Sequence, residues 1–169
     1  PELHNYWIKK NKINAHYDKK NVELSDLSKI IKSVREDQIF GLNITTPYKQ
    51  EIIKYLDFLS PEAKQTDSVN TVYKKADKII GHNTDIAGFE LSLRKINYDI
   101  NGKTALILGS GGVVPSIIIA LKNLKIKETN IKNRTKKKAE LIKNKFKYIN
   151  VLDWNDECKF DIIINATSL

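Results

Sequence analysis

Residues 103–124 read KTALILGSGGVVPSIIIALKNL, and the fold turns on how this stretch divides. Lys103 to Gly109 is a short apolar run closed by glycine, the form a parallel strand takes when both of its faces are buried. Small residues at 110–112 then make a turn. Pro115 falls near the first turn of the apolar helix that follows, where a missing N–H costs no hydrogen bond. The same rhythm continues downstream: TNIKN at 129–133 reads as a second strand, TKKKAELIKNKF at 135–146 as a second helix, and DIIINAT at 161–167 as a further buried strand. Repeated strand–helix–strand units with right-handed crossovers build a doubly wound parallel sheet.

This half of the chain is therefore expected to be a Rossmann-like nucleotide-binding domain. The first half is also α/β but less regular. INAHYDK at 13–19 and IFGLNIT at 39–45 read as strands, with SDLSKIIKSVRE at 25–36 a helix between them, capped by Ser25 or Asp26. YKQEIIKYLDFL at 48–59 carries apolar residues at helical spacing, and residues 61–84 supply a short polar helix and two brief strands around VNTVY and KIIGHN. The boundary is set at Asp85, where DIAGFELSLRKINY forms a helix joining the halves. The expected organisation is thus two α/β domains, 1–84 and 85–169, with a cleft between them.

Composition narrows the classes of function. Across 169 residues, 41% are hydrophobic, enough for a core and against disorder. No apolar run reaches the roughly 20 residues of a membrane span, and the N-terminus lacks a signal-peptide pattern. One cysteine, Cys158, excludes a disulfide framework and a Cys-based zinc site, which fits a reducing compartment, so a cytoplasmic protein without a metal is expected. The net charge of +9 raises nucleic acid as a partner. Against it, lysine is abundant everywhere alongside Asn and Ile, and the aromatics do not interleave with the cations as on a stacking platform. Nucleic acid and membrane are both set aside.

The motifs point to a small-molecule reaction. Gly109, Gly111 and Gly112 in GSGGV let the backbone approach a pyrophosphate and aim amide hydrogens at it, while the following helix adds its positive end. The third small position of the usual fingerprint is Val114 here, so strand before and helix after carry the reading. The second strand ends in NRTKKK, where an NAD-preferring domain has an acid for the ribose 2′-hydroxyl; no acid appears before Glu140, and Arg134 is the candidate partner of the 2′-phosphate of NADP. In the first half, Lys49 follows the polar turn NITTPY, and DSVNTV and GHNTD bring Asn70, Thr71, Asn83, Thr84 and Asp85. One cation, one carboxylate and several neutral hydrogen-bonding groups suit a polyhydroxylated substrate and a carbonyl reduction, in which an acid protonates the developing alkoxide.

Taken together, GLNITTPYK, VNTV, GHNTD, GSGGV, NRT and NATS resemble, in order, the motifs of the shikimate dehydrogenase family, and PELHNYW looks like the tail of that family's Ser-x-Ser-Pro-x-x-His-Asn segment. The resemblance spans almost the whole chain. It implies a chain cut at both ends, lacking the serines before Pro1 and the segment after Leu169. It also implies that 1–84 is a substrate-binding domain and 85–169 an NADP-binding one, with Lys49 and Asp85 the catalytic pair and the proton carried by one of the two. Asn70 and Thr45 would hold substrate hydroxyls and Asn43 would support the turn. Gly109, Ser110, Gly111, Gly112 and Val113 would hold pyrophosphate, and Asn133, Arg134, Thr135 and Lys138 the adenosine ribose phosphate. Lys138 stands where many members have arginine, keeping the charge without the bidentate fork. Thr167 and Ser168 would lie by the nicotinamide. The implied activity is NADPH-dependent reduction of 3-dehydroshikimate to shikimate, in a monomer or homodimer. The alternatives are a quinate/shikimate dehydrogenase using NAD and a non-catalytic nucleotide-binding domain.

Overall fold

The computed structural model describes residues 1–167. Ser168, expected beside the nicotinamide, lies outside the described residues. Two four-stranded sheets are present, one in each half of the chain.

The first sheet is built from β1 (Gly41–Asn43), β2 (Phe58–Leu59), β3 (Thr71–Lys75) and β4 (Lys78–His82), in the order β1-β3-β4-β2. β3 pairs antiparallel with both β1 and β4, and β2 runs parallel to β4. The β3–β4 hairpin turns on Ala76 and Asp77, both at positive φ, as a tight two-residue turn requires. Helix α1 (Glu2–Lys10) precedes the sheet, α2 (Leu27–Arg35) packs on it, and α3 (Pro61–Thr66) starts with Ser60 as its cap, the Ala63 N–H donating to Ser60 Oγ at 3.2 Å. Leu27, Ile31 and Val34 from α2 meet Ile52, Ala63, Val69, Val72 and Ile79 in one core.

The second sheet is wholly parallel: β5 (Thr104–Leu108), β6 (Glu128–Lys132), β7 (Asn150–Val151) and β8 (Ile162–Asn165), in the order β7-β6-β5-β8. Helices α4 (Asp85–Lys95), α5 (Val114–Asn123) and α6 (Lys136–Lys145) complete the α/β pattern. Ala105, Leu106 and Ile107 are buried in succession, which a strand shows only when both faces are covered. Ala105 and Ile107 share a core with Ile86 and Leu93 of α4, the apolar side of α5, and Ile131, Ala139, Phe146 and Ile149. Pro115 sits in the first turn of α5, as expected. Among the described residues no helix is long and apolar enough to cross a membrane.

Several expected elements are corrected. Residues 13–19 form no strand, because the peptide of Tyr17 is met by a side chain: the Asn5 amide donates to Tyr17 O at 2.8 Å and accepts from Tyr17 N–H at 2.9 Å. In place of a helix over 48–59 there is a 3-10 turn at Glu51–Tyr55 followed by β2. That segment ends where Asp57 leaves it to accept the Ile79 N–H at 2.7 Å, so the chain joins the sheet instead of continuing to coil. Asp26 occupies the N-cap of α2, yet its carboxylate takes Lys29 at 2.8 Å and caps no N–H. Helix α1 adds an element to the expected set, as do β2 and β7, two-residue strands that carry no periodicity to read.

Candidate active site

β1 ends at Asn43, and the Ile44 N–H reaches Asn70 O at 2.8 Å, tying the start of the polar turn to the loop before β3. The turn closes with the Tyr48 N–H on Thr45 O at 3.0 Å and includes a cis Thr46–Pro47 peptide. Lys49 follows, its carbonyl accepting from the Val69 N–H at 2.8 Å. The lysine backbone is therefore fixed between two segments that are distant in sequence.

Its ammonium meets Asp85, the first residue of α4, with Nζ 2.7 Å from Oδ2 and side chains only 15% and 21% exposed. At the N-terminus of a helix a carboxylate is favoured by the unpaired amides and the helix dipole. The Asn70 amide donates to the other oxygen, Oδ1, at 2.7 Å, and to Thr84 Oγ1 at 2.9 Å. Asn70 Oδ1 in turn accepts from the Thr84 N–H and the Thr71 hydroxyl, each at 3.0 Å. Lys49, Asn70 and Asp85, from three separate motifs, converge on one carboxylate. Removing one partner from such a half-buried pair leaves the other charge uncompensated, unlike an exposed pair worth about 0–1 kcal/mol.

Asn43 and Thr45 lie on the exposed side of this cluster. The Asn43 amide approaches Thr71 Oγ1 at 3.4 Å, and its Oδ1 accepts the Tyr17 hydroxyl at 3.0 Å. Tyr17 was not singled out from the sequence. Its ring stacks on His4 with centroids 4.1 Å apart, and the signal that could have found it is the His4–Asn5 pair, whose two side chains both engage this one residue.

In the second half, the carboxyl ends of β5 and β8 lie side by side at the point where the strand order reverses, the usual crevice for a ligand in an open α/β sheet. Gly109 ends β5 at φ +111°, and a Cβ there would stand 2.7 Å from Ala166 O, so only glycine fits this approach. Gly111 and Gly112 have ordinary φ and are exposed; a Cβ on Gly112 would meet nothing within 4 Å. A Cβ on Gly111 would meet only Ala166 O, at an ordinary 3.7 Å, so neither glycine answers a packing need of the chain. Ser110 and Val113 complete the turn as half-buried residues, Val113 being the N-cap.

At the end of β6, Asn133 donates to Thr135 O at 2.8 Å and shapes the turn into α6. Arg134, Thr135 and Lys138 are exposed, and Arg134 has no carboxylate partner among the described residues. Lys136 differs, being paired with Asp153 at 2.8 Å. That pairing also engages the acid close to this strand end. On the β8 side, the Thr167 hydroxyl donates to Asn165 Oδ1 at 2.7 Å. Open backbone amides at the glycine turn and an unpaired guanidinium beyond β6 fit a dinucleotide carrying an extra phosphate. Among the described residues, no cluster of three or more His, Cys, Asp or Glu could hold a metal ion.

Comparison with known proteins covers both halves of the chain. Residues 1–72 match the family profile described as shikimate dehydrogenase substrate binding domain, and residues 90–169 the profile described as shikimate / quinate 5-dehydrogenase. The chain belongs to the shikimate dehydrogenase family. A relative from Pelagibacter ubique (strain HTCC1062), named shikimate dehydrogenase (NADP(+)), is 53% identical over 169 residues, covering all of this chain and 64% of the relative. The solved shikimate dehydrogenase of Aquifex aeolicus superposes with a TM-score of 0.92 at 34% identity, over 99% of this chain and 63% of that one. The shikimate 5-dehydrogenase of Listeria monocytogenes, solved in complex with shikimate and NAD, gives a TM-score of 0.90 at 30% identity, over 99% of this chain and 63% of that one. The chain thus spans slightly under two thirds of the family members it matches.

Proposed function

We propose that the protein containing this chain is an NADP-dependent shikimate dehydrogenase, reducing 3-dehydroshikimate reversibly to shikimate for aromatic biosynthesis. The observation that carries the proposal is the convergence of Lys49, Asn70 and Asp85, with the ammonium 2.7 Å from the carboxylate and the amide 2.7 Å from its other oxygen.

In this reading residues 1–84 bind substrate and residues 85–169 bind cofactor. When bound, NADPH supplies the hydride. Lys49 and Asp85 then serve the substrate oxygen: one of the pair delivers the proton, and the ammonium stabilises the negative charge developing on that oxygen. Asn70 fixes the carboxylate and, exchanging one of its bonds to Thr84 for the substrate, holds a substrate hydroxyl together with Thr45, while Asn43 holds the turn that carries Lys49. The glycine turn at 109–113 takes pyrophosphate at the N-terminus of α5. Asn133, Arg134, Thr135 and Lys138 take the ribose phosphate, and Thr167 and Ser168 border the nicotinamide.

The Listeria neighbour was solved with NAD, so cofactor choice in this protein rests on its own residues. Arg134 without a carboxylate partner, and Asp153 held by Lys136, favour NADP. Turnover of shikimate with NADP against NAD tests this directly. Arg134→Ala should raise the KM for NADP about 10- to 100-fold, the loss of one charge-assisted contact of about 1.5–3 kcal/mol, with the KM for shikimate little changed. Equal effects on both constants would count against the assignment. We place the protein in the cytoplasm, as a monomer or homodimer.

A further inference from the structure

Asn83, directly before the Thr84–Asp85 step, is 1% exposed, and its side chain uses every hydrogen-bonding position it has. Its amide donates to Ser68 O at 2.9 Å and Thr66 Oγ1 at 3.2 Å. Its Oδ1 accepts the Asp85 N–H at 2.9 Å and the Ser116 hydroxyl at 3.3 Å. Ser116 belongs to the first turn of α5 and is fully buried. Among the described residues, no other hydrogen bond joins residues 1–84 to residues 100–167.

One buried amide therefore touches both halves of the machinery. On one side it holds the backbone of Asp85 and the loop at Ser68, two residues before Asn70. On the other it holds the helix turn that follows the exposed glycines. We infer that Asn83 is a positioning residue through which occupation of the glycine turn by a dinucleotide phosphate is communicated to Asp85. This rests on the cofactor reading above. A phosphate drawn onto the amides at 111–113 pulls on the first turn of α5, and Ser116 rides on that turn. Because Asn83 has no spare partner and no access to water, a displacement of Ser116 is passed on to the Asp85 amide instead of being absorbed by solvent.

Amide hydrogen exchange of the full-length protein with NADP alone, without substrate, tests the coupling. Exchange should slow in the segment 109–114 and also at the start of α4, residues 84–88. In Ser116→Ala, which removes one hydroxyl and adds no bulk, protection of 109–114 should persist while that of 84–88 is lost. In steady-state assays of the same variant, kcat should fall several-fold with the KM for NADP within about twofold of wild type, and Ser116→Thr, which restores a hydroxyl, should recover kcat. Protection of 109–114 in wild type with no change at 84–88 would overturn the coupling while leaving the cofactor site intact. No protection at 109–114 would remove the cofactor reading and the coupling with it. A Ser116→Ala variant with a lower melting temperature but unchanged kcat and unchanged exchange at 84–88 would reduce the bond to packing.

Discussion

Single residues in this protein are specified by how many of their polar atoms find partners. Asn70 and Asn83 are both fully committed, and Asp85 lies between them, held at its carboxylate by one and at its amide by the other. Ser68 is the exception: its hydroxyl is buried with no partner among the described residues, while its carbonyl is engaged by Asn83. An unsatisfied buried hydroxyl costs about 1–3 kcal/mol, so Ser68→Ala should leave stability unchanged or raise it by about 1 kcal/mol, as measured by urea unfolding. A loss of more than about 1 kcal/mol would show that the hydroxyl has a role in holding the loop. Much of this scale was readable beforehand. Lys49, Asn70, Asp85 and Arg134 stand in short motifs whose chemistry shows in their residue types. Ser116 was not readable, since it gains its meaning from a partner 33 residues away, and no local pattern records such a pairing.

Among the elements, legibility followed length. The strand–turn–helix of β5 and α5 was plain because a five-residue strand with four apolar residues, a glycine turn and a ten-residue helix leave a long pattern. The first sheet was harder, being made of strands as short as two residues and stitched by side chains. Asp57 shows the stitching. It accepts both Arg35 nitrogens, at 2.9 and 3.1 Å, and the Ile79 N–H, so it joins α2, the approach to β2 and the edge of β4. The Arg35 guanidinium, and then the Ile79 amide, hold this carboxyl below the usual carboxylate range. A depressed folded-state value means stability that is present above the ordinary carboxylate pKa and is lost as pH falls through the lowered one. Wild type should therefore lose part of its stability on the acid side of that range. Asp57→Asn, which retains an acceptor for Ile79, should be less stable at neutral pH and show a flatter acid limb in melting temperature against pH. A parallel, undiminished acid limb in the variant would mean that other carboxylates carry the dependence.

At the scale of the molecule, the sequence pattern was sufficient for an α/β reading with a parallel nucleotide sheet, and the two sheets bear this out. How the glycine turn is linked to the Lys49–Asp85 pair was not legible, because among the described residues the one hydrogen bond between residues 1–84 and 100–167 runs through a single buried side chain and not a patterned surface. The proposed reaction needs both halves: a carboxylate and an ammonium fixed in the first sheet's loops and at the start of α4, and a dinucleotide at the carboxyl ends of β5 and β8. The most direct test is shikimate-dependent reduction of NADP by the full-length protein, compared with Lys49→Ala. The account predicts that kcat/KM falls by at least about 100-fold, the lower end of what a positioned general acid contributes, with the circular dichroism spectrum and NADP affinity retained. A folded, NADP-binding Lys49→Ala protein that keeps activity within a few-fold of wild type would contradict it.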